Sequence, residues 1–198
     1  YLSHLTDDGM LAITRWGFDP PRESLRLLSL TIDALGRLGE GDPARHVIVL
    51  RENSDKIEGW GATDTVLISR KPFRAADLDI ARKEAGTRQQ IIYAPGAEGA
   101  STPFGQLLRA PDKSKFFESY RYDVTPVSDN RPFFFYTVQP RDLMEFWNSA
   151  RQDSADFKIN RAVPLLFALM GVSLFATLVV LVLPRLLLKT PLPSDGSV

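Results

Sequence analysis

HVIVLRENSDKIEGWGATDTVLIS, residues 46–69, holds two short apolar runs separated by a polar, glycine-containing stretch. The runs at 46–50 (HVIVL) and 65–69 (TVLIS) are too short for buried helices and rich in β-branched residues, so both read as buried strands. The 13 residues at 52–64 between them carry no helical periodicity. Without a crossover helix the chain returns beside the strand it has just left, which predicts antiparallel pairing for 65–69. The charges Arg51, Glu52, Asp55, Lys56 and Glu58 read as a solvated loop.

Working upstream, residues 1–5 read as the last turn of a helix, and Asp7-Asp8-Gly9 as a turn. The run 10–14 (MLAIT) is a further apolar strand, with Arg15 and Trp16 at its C-terminal end. Asp19 is placed to cap the next helix, with Pro20 and Pro21 suited to its first turn. That helix is expected over 22–38, with Leu25, Leu28, Ile32 and Leu35 on one face and Gly39 and Gly41 as the stop. Strand, helix, strand implies a right-handed parallel crossover. The expected fold is therefore α/β, with parallel strands plus one antiparallel strand.

Downstream, 75–88 reads as a helix with Ala76, Ile80 and Ala85 inward, 91–93 as a short strand, and 96–102 as a small-residue loop. Short helices are expected at 104–110 and 114–120. DVTPVSDNRPFFFYT, residues 123–137, is extended, and 141–153 reads as a polar helix carrying Met144, Phe146 and Trp147.

The run 162–184, AVPLLFALMGVSLFATLVVLVLP, has 23 residues and no charge. As a helix it extends roughly 34 Å, against a bilayer core of about 30 Å. Fourteen of its residues are Leu, Val or Phe, contributing together roughly −4 to −8 kcal/mol to insertion. Leu186, Leu187 and Leu188 extend the helix toward Lys189, with Arg185 snorkelling. Buried helices of soluble cores are commonly shorter, about 10–14 residues, which favours a membrane span. The flanking charges, Arg151, Lys158 and Arg161 before the span against Arg185 and Lys189 after it, point to a cytoplasmic N-terminal domain.

The remaining composition is mostly exclusionary. With 24 basic and 24 acidic residues the formal charge is zero, and no nucleic-acid surface is indicated. There is no cysteine, which excludes disulfides, thiolate metal sites and a cysteine nucleophile and fits a reducing compartment. His4 and His46 are far apart and read as structural. Asp153 and Asp156 are not spaced with a histidine as metal ligands, and no metal site is expected. No HExxH, GxSxG, Walker or GxGxxG pattern occurs. Tyr1 stands about nine residues before a strand, which reads as a start in mid-domain.

YLSHLTDDGMLAITRW, then PPRESLRLLSLTIDALGRLGEGDPARHVIVLRE, resembles the spermidine synthase-like membrane proteins of bacteria. DVTPVSDNRPFFFYT is similar to the segment that joins their transferase domain to their membrane helices. The likeness extends over about residues 1–188. It implies the C-terminal half of a Rossmann-like methyltransferase sheet at 1–122, an extended clasp and juxtamembrane helix at 123–160, a transmembrane helix at 161–188 and a polar tail at 189–198. It further implies a parent that transfers a methyl or aminopropyl group from S-adenosylmethionine or its decarboxylated form, in the bacterial inner membrane, with further transmembrane helices and lipid as partners. The family's Gly-rich cofactor loop, the acidic residue ending its second strand and its catalytic aspartate have no counterpart in these 198 residues. The position after the expected fifth strand reads TRWGF, and no YPSG-type segment is present. The resemblance therefore implies no catalysis and no bound cofactor for this chain alone. The span then reads as the first of several helices, with Gly171, Ser173 and Thr177 as the face others would cover.

Candidate functional residues follow from position. Ligands of open α/β sheets bind beyond the C-terminal strand ends, so Trp16 is expected to stack on a substrate and Arg15 to pair with a carboxylate; the alternative is an edge cap and a solvated charge. Asp129, Asn130 and Arg131 precede three phenylalanines, as a lid over the cleft or as a structural clasp. In the clasp, Arg131 pairs with a carboxylate and Phe133 and Phe135 pack on one face, while Phe134 points oppositely, toward lipid or another helix. A non-enzymatic membrane scaffold contacting a partner protein or lipid-borne ligand through this segment is the alternative function.

Overall fold

The apolar runs form β1 (Met10–Trp16), β2 (Val47–Glu52) and β3 (Thr63–Ser69), joined by a fourth strand, β4 (Gln89–Tyr93). The helices are α1 (Glu23–Arg37), α2 (Ala75–Ala85), α3 (Pro103–Arg109), α4 (Lys113–Ser119) and α5 (Ala162–Leu188). The computed structural model describes residues 1–59, 61–139 and 162–188. The chain divides into two units, Tyr1–Glu145 and Phe146–Val198. The helix expected at 141–153 with Met144, Phe146 and Trp147, and the tail at 189–198, lie outside the described residues.

The expected mostly parallel, Rossmann-like sheet is overturned. The strand order is β1-β3-β2-β4, and every pairing is antiparallel. β3 pairs with β1 from Met10↔Ser69 to Trp16↔Thr63 and with β2 from Val47↔Ile68 to Glu52↔Thr63. The crossover reading assumed that the strands on either side of α1 are neighbours. They run in the same direction, but β3 returns from the 53–62 connection and occupies the place between them. α2 connects β3 to β4 in the same way, across β2. Each crossover skips one strand, and the strand it skips runs the other way.

Period-two alternation gives the sheet two apolar faces. Val47 and Val49 of β2, with Val66 and Ile68 of β3, face Leu25, Leu28 and Leu35 of α1. Ile48 and Leu50, with Leu67 and Ile91, face Leu78, Ala81 and Ala85 of α2. The four residues expected on the inner face of α1 lie there: Leu25, Leu28 and Leu35 are fully buried, and Ile32 packs against the same cluster. α1 ends as expected at Gly39, whose φ of 85° only glycine adopts readily, with the Glu40 amide donating to the Leu35 carbonyl at 3.0 Å. Its start differs. Arg22, not Asp19, is the N-cap, and no side chain caps the helix.

Arg51 is not a solvated loop charge. It is buried, and its Nε donates to Asp64 Oδ1 at 2.6 Å while Nη2 donates to Asp64 Oδ2 at 3.0 Å and to the Phe18 carbonyl at 3.2 Å. Asp64 is wholly buried and also accepts from Ser24 Oγ at 2.8 Å. This network ties β2, β3, the 17–19 turn and the first turn of α1 at one end of the two central strands. Gly17 belongs to it, since a Cβ there would sit 3.0 Å from Asp64 Oδ1 and 3.2 Å from Ala62 Cβ. Glu52 is half-buried and Asp55, Lys56 and Glu58 lie toward solvent.

In the second unit, α5 includes the whole apolar run. It is the one helix among the described residues long and apolar enough to cross a membrane. Its described side chains are apolar and exposed nearly all round. Thr177 Oγ1 donates to the Ser173 carbonyl at 2.8 Å, satisfying its hydroxyl within the helix.

Replacing Asp64 strands a buried guanidinium. Asp64→Ala is expected to lower the stability of the full chain in detergent micelles by about 3–5 kcal/mol, read from urea unfolding by tryptophan fluorescence; a loss below about 1 kcal/mol would show that the network carries no such weight.

Candidate functional site

The carboxyl end of β1, the first turns of α1 and the segment 120–138 converge on one side of the sheet. Arg26 stands at their centre. Its side chain is 2% exposed, and Nη1 lies 3.0 Å from the Phe133 carbonyl, 2.6 Å from that of Phe134 and 2.6 Å from that of Tyr136. Nη1 has two hydrogens, so one is shared. Nη2 donates to the Asp123 carbonyl and lies 3.4 Å from Asp123 Oδ2. Three residues on, Ser29 Oγ donates to the Val124 carbonyl at 2.6 Å. Arg26 and Ser29 share a face of α1, and together they replace, for the irregular segment 123–136, the backbone partners that a strand would find in a sheet.

Asp123 serves the same purpose from the other side. Oδ1 accepts from the Thr125 amide at 3.1 Å and from its hydroxyl at 2.6 Å, and Oδ2 accepts from Arg131 Nη2 at 2.7 Å. Burial pushes its carboxyl up, but the Thr125 bonds and the charges of Arg26 and Arg131 outweigh that and hold it below its ordinary value. The Arg131 pairing is thus with Asp123. Asp129 is exposed and sits with Asn130 at the tip of a tight reversal, in which the Arg131 amide donates to the Ser128 carbonyl at 2.8 Å.

The phenylalanine phase is the reverse of that expected. Phe134 packs against the core, with the Arg15 guanidinium 5.4 Å from its ring centroid. Phe133 and Phe135 do lie on one side, but the outer one, 74% and 60% exposed. The physical reason is Arg26. Drawing the carbonyls of Phe133, Phe134 and Tyr136 onto one guanidinium curls the backbone and sets which ring turns inward.

Arg15 and Trp16 do not converge. They are adjacent on a strand and therefore point to opposite faces. Arg15 is half-buried toward α1, with Nη1 donating to the Thr14 carbonyl at 3.0 Å, while Trp16 is 48% exposed on the other face. What accompanies Arg15 is Glu23, in the first turn of α1 and 5% exposed. Burial raises the Glu23 carboxyl from its ordinary value, against the pull of Arg15, Arg22 and Arg26. Glu23 Oε2 and Arg15 Nε are buried without a hydrogen-bond partner. Arg22 stacks between Phe18 and Tyr122, 4.6 Å and 4.5 Å from the ring centroids. Tyr120 donates to the Pro21 carbonyl at 2.7 Å, and burial raises its hydroxyl above the usual range.

Sequence reasoning missed Glu23, Arg26, Ser29, Asp123 and the Arg51–Asp64–Ser24 network. Arg26 and Ser29 lie on the polar side of an amphipathic helix, and polarity there reads as solvent exposure. A signal was present in Asp123 opening a proline-containing segment with no strand alternation, which needs side-chain donors from elsewhere.

Among the described residues no group of three His, Cys, Asp or Glu is placed to hold a metal ion. His46 is buried, with Nδ1 3.1 Å from the Ser69 carbonyl, and His4 is exposed on the surface. The glycine-containing turn at 94–102, after β4, packs back on its own strand, where a Cβ at Gly99 would clash with the Ile92 carbonyl, and the shared end of β2 and β3 is filled by the Arg51–Asp64–Ser24 network. The site's chemistry is anchoring: charged side chains hold backbone carbonyls and each other. No family model, curated protein or solved structure matches the chain.

Two outcomes test this arrangement. Arg26→Ala is expected to destabilise the full chain in micelles by about 3–5 kcal/mol and to speed hydrogen exchange of the 123–136 amides more than those of β2; exchange unchanged in that segment would exclude the anchoring role. Glu23 holds its proton more tightly folded than unfolded. Its contribution to stability is therefore full below the ordinary carboxylate pKa and is lost as pH rises through the raised value. In Glu23→Gln the change in urea midpoint between about pH 4 and pH 7 is expected to shift in favour of pH 7 relative to the parent chain; an identical pH profile would rule this out.

Proposed function

We propose that this chain is the membrane-tethered part of a spermidine synthase-like, S-adenosylmethionine-dependent group-transfer protein, acting with residues beyond these 198 and inactive alone. The observation that carries the reading is Arg26. The segment 123–137, which bears the most specific family likeness, is held by a buried arginine from the likewise family-like helix α1. The two stretches that carry the resemblance are thus one structural device. The reading does not rest on a parallel sheet. It draws further support from α5, long enough to span a membrane, and from the position of Arg15 and Glu23 at the carboxyl end of β1, where an acceptor would approach.

In this reading the transferred group, methyl or aminopropyl, comes from S-adenosylmethionine or its decarboxylated form, which other residues hold. The membrane is the bacterial inner membrane, with further helices beside α5 and the Tyr1–Glu145 unit on the cytoplasmic side, in line with the flanking charges and the absence of cysteine. The second reading is a non-enzymatic membrane scaffold. The packed network at one end of β2 and β3 favours it, because that end is closed by side chains rather than open to a ligand.

Titration calorimetry with S-adenosylmethionine separates these claims. The 198-residue chain in micelles is expected to show no micromolar binding, and micromolar binding would overturn its assignment as inactive alone. The longer reading frame containing this chain is expected to crosslink to the cofactor on irradiation. Absence of labelling in the longer protein would reject the transferase reading and leave the scaffold.

A further inference from the structure

We propose that the loop bearing Phe133 and Phe135 docks into the lipid surface of the membrane that α5 crosses. Apart from the terminal Tyr1, Phe133 is the most exposed large apolar side chain described in the Tyr1–Glu145 unit. Phe133 at 74% and Phe135 at 60% stand one residue apart on one side of one segment. Exposed Met10, Trp16 and Ile80 lie on other elements. Pro132 and Arg131 beside the rings are also exposed.

The rings are presented rather than loosely displayed. Arg26 grips the carbonyls of Phe133, Phe134 and Tyr136, Phe134 is packed inward as a footing, and the Tyr136 amide donates to the Phe133 carbonyl at 3.2 Å. A segment held this way loses little conformational freedom when its rings are buried, so docking is preorganised. The two rings together offer about 300–500 Å², while a stable protein interface takes about 800 Å² from each partner. A small aromatic wedge suits the boundary between headgroups and acyl chains, where aromatic side chains gather.

The covalent structure supplies the rest of the argument. Twenty-six residues join Phe135 to Ala162, the first residue of α5. They reach at most about 90 Å when extended, a tether long enough for the loop to meet the surface of a bilayer that α5 spans. Tethering makes even weak insertion effective, because binding becomes intramolecular. The proposal stands under either functional reading, since insertion of the rings into the bilayer needs neither a bound cofactor nor a partner protein.

The absence of cysteine makes a direct test available. The full chain in nanodiscs of phosphatidylcholine and phosphatidylglycerol would carry one nitroxide at a time, through F133C, F135C, E84C or V172C. Each loop variant keeps the other ring, and all four positions are exposed, so folding is expected to persist. E84C gives the aqueous reference and V172C the lipid reference. At F133C and F135C the ratio of oxygen to nickel-chelate collision rates is expected at least threefold above that at E84C, moving toward V172C. A ratio equal to that of E84C would overturn lipid docking. Protection from both reagents would also overturn it, showing that protein covers the rings. Neither result bears on cofactor binding, so this proposal and the transferase reading fail separately.

Discussion

A buried guanidinium is the constraint on which this side of the structure depends. Burial pulls the Arg26 guanidinium below its ordinary value, against the charge of Asp123, and burying such a charge costs several kcal/mol unless it is paired and hydrogen-bonded. Asp123 and the carbonyls of Asp123, Phe133, Phe134 and Tyr136 answer it at both Nη atoms, while Nε is buried without a hydrogen-bond partner. The dependence runs both ways. An irregular segment with two prolines has no sheet to satisfy its carbonyls, and the arginine supplies what a neighbouring strand would have supplied. Because the bonds go to backbone, the arrangement specifies a path for the chain more than a set of side chains. Which phenylalanine faces inward follows from that path.

The sheet shows a second constraint, pairing by insertion. β1 and β2 run in the same direction on either side of β3, and β2 is flanked in the same way by β3 and β4. Adjacent crossover strands would have paired parallel. The 53–62 connection instead places β3 where it pairs along both neighbours, so one strand answers the hydrogen-bonding groups of two. The charged end of that strand is closed by Asp64 with Arg51 and Ser24, which explains how a carboxylate is tolerated at full burial. The opposite faces of β2 then serve α1 and α2 separately, through Val47 and Val49 on one side and Ile48 and Leu50 on the other.

Much of the element content was legible because it rests on local periodicity. The helix read at 22–38 is Glu23–Arg37, the short helices read at 104–110 and 114–120 are Pro103–Arg109 and Lys113–Ser119, and Leu25, Leu28 and Leu35 face the core as their spacing implies. The site was less legible. Arg15 and Trp16 were chosen for position in sequence, but strand alternation sends them to opposite faces. Arg51 looked like a loop charge because the residues after it are charged, whereas it is the last inward position of a strand. Arg26 and Ser29 looked solvated because nothing within a helical turn reveals that a segment about one hundred residues later covers them.

What the sequence alone determined concerns residues whose environment is decided by near neighbours. The 23 uncharged residues at 162–184 specify a helix suited to lipid without reference to any other part of the chain, since a helix satisfies its own backbone. The inner face of α1 and its stop at Gly39 belong to the same class. What only the tertiary structure decided is strand order, the burial of Arg26, Arg51 and Glu23, and the outward turn of Phe133 and Phe135. Each of these depends on partners far away in sequence. A charged or aromatic side chain carries no mark of whether such a partner will arrive, because its free energy in water and in a fully paired interior differ by little. The pairing itself tips the balance.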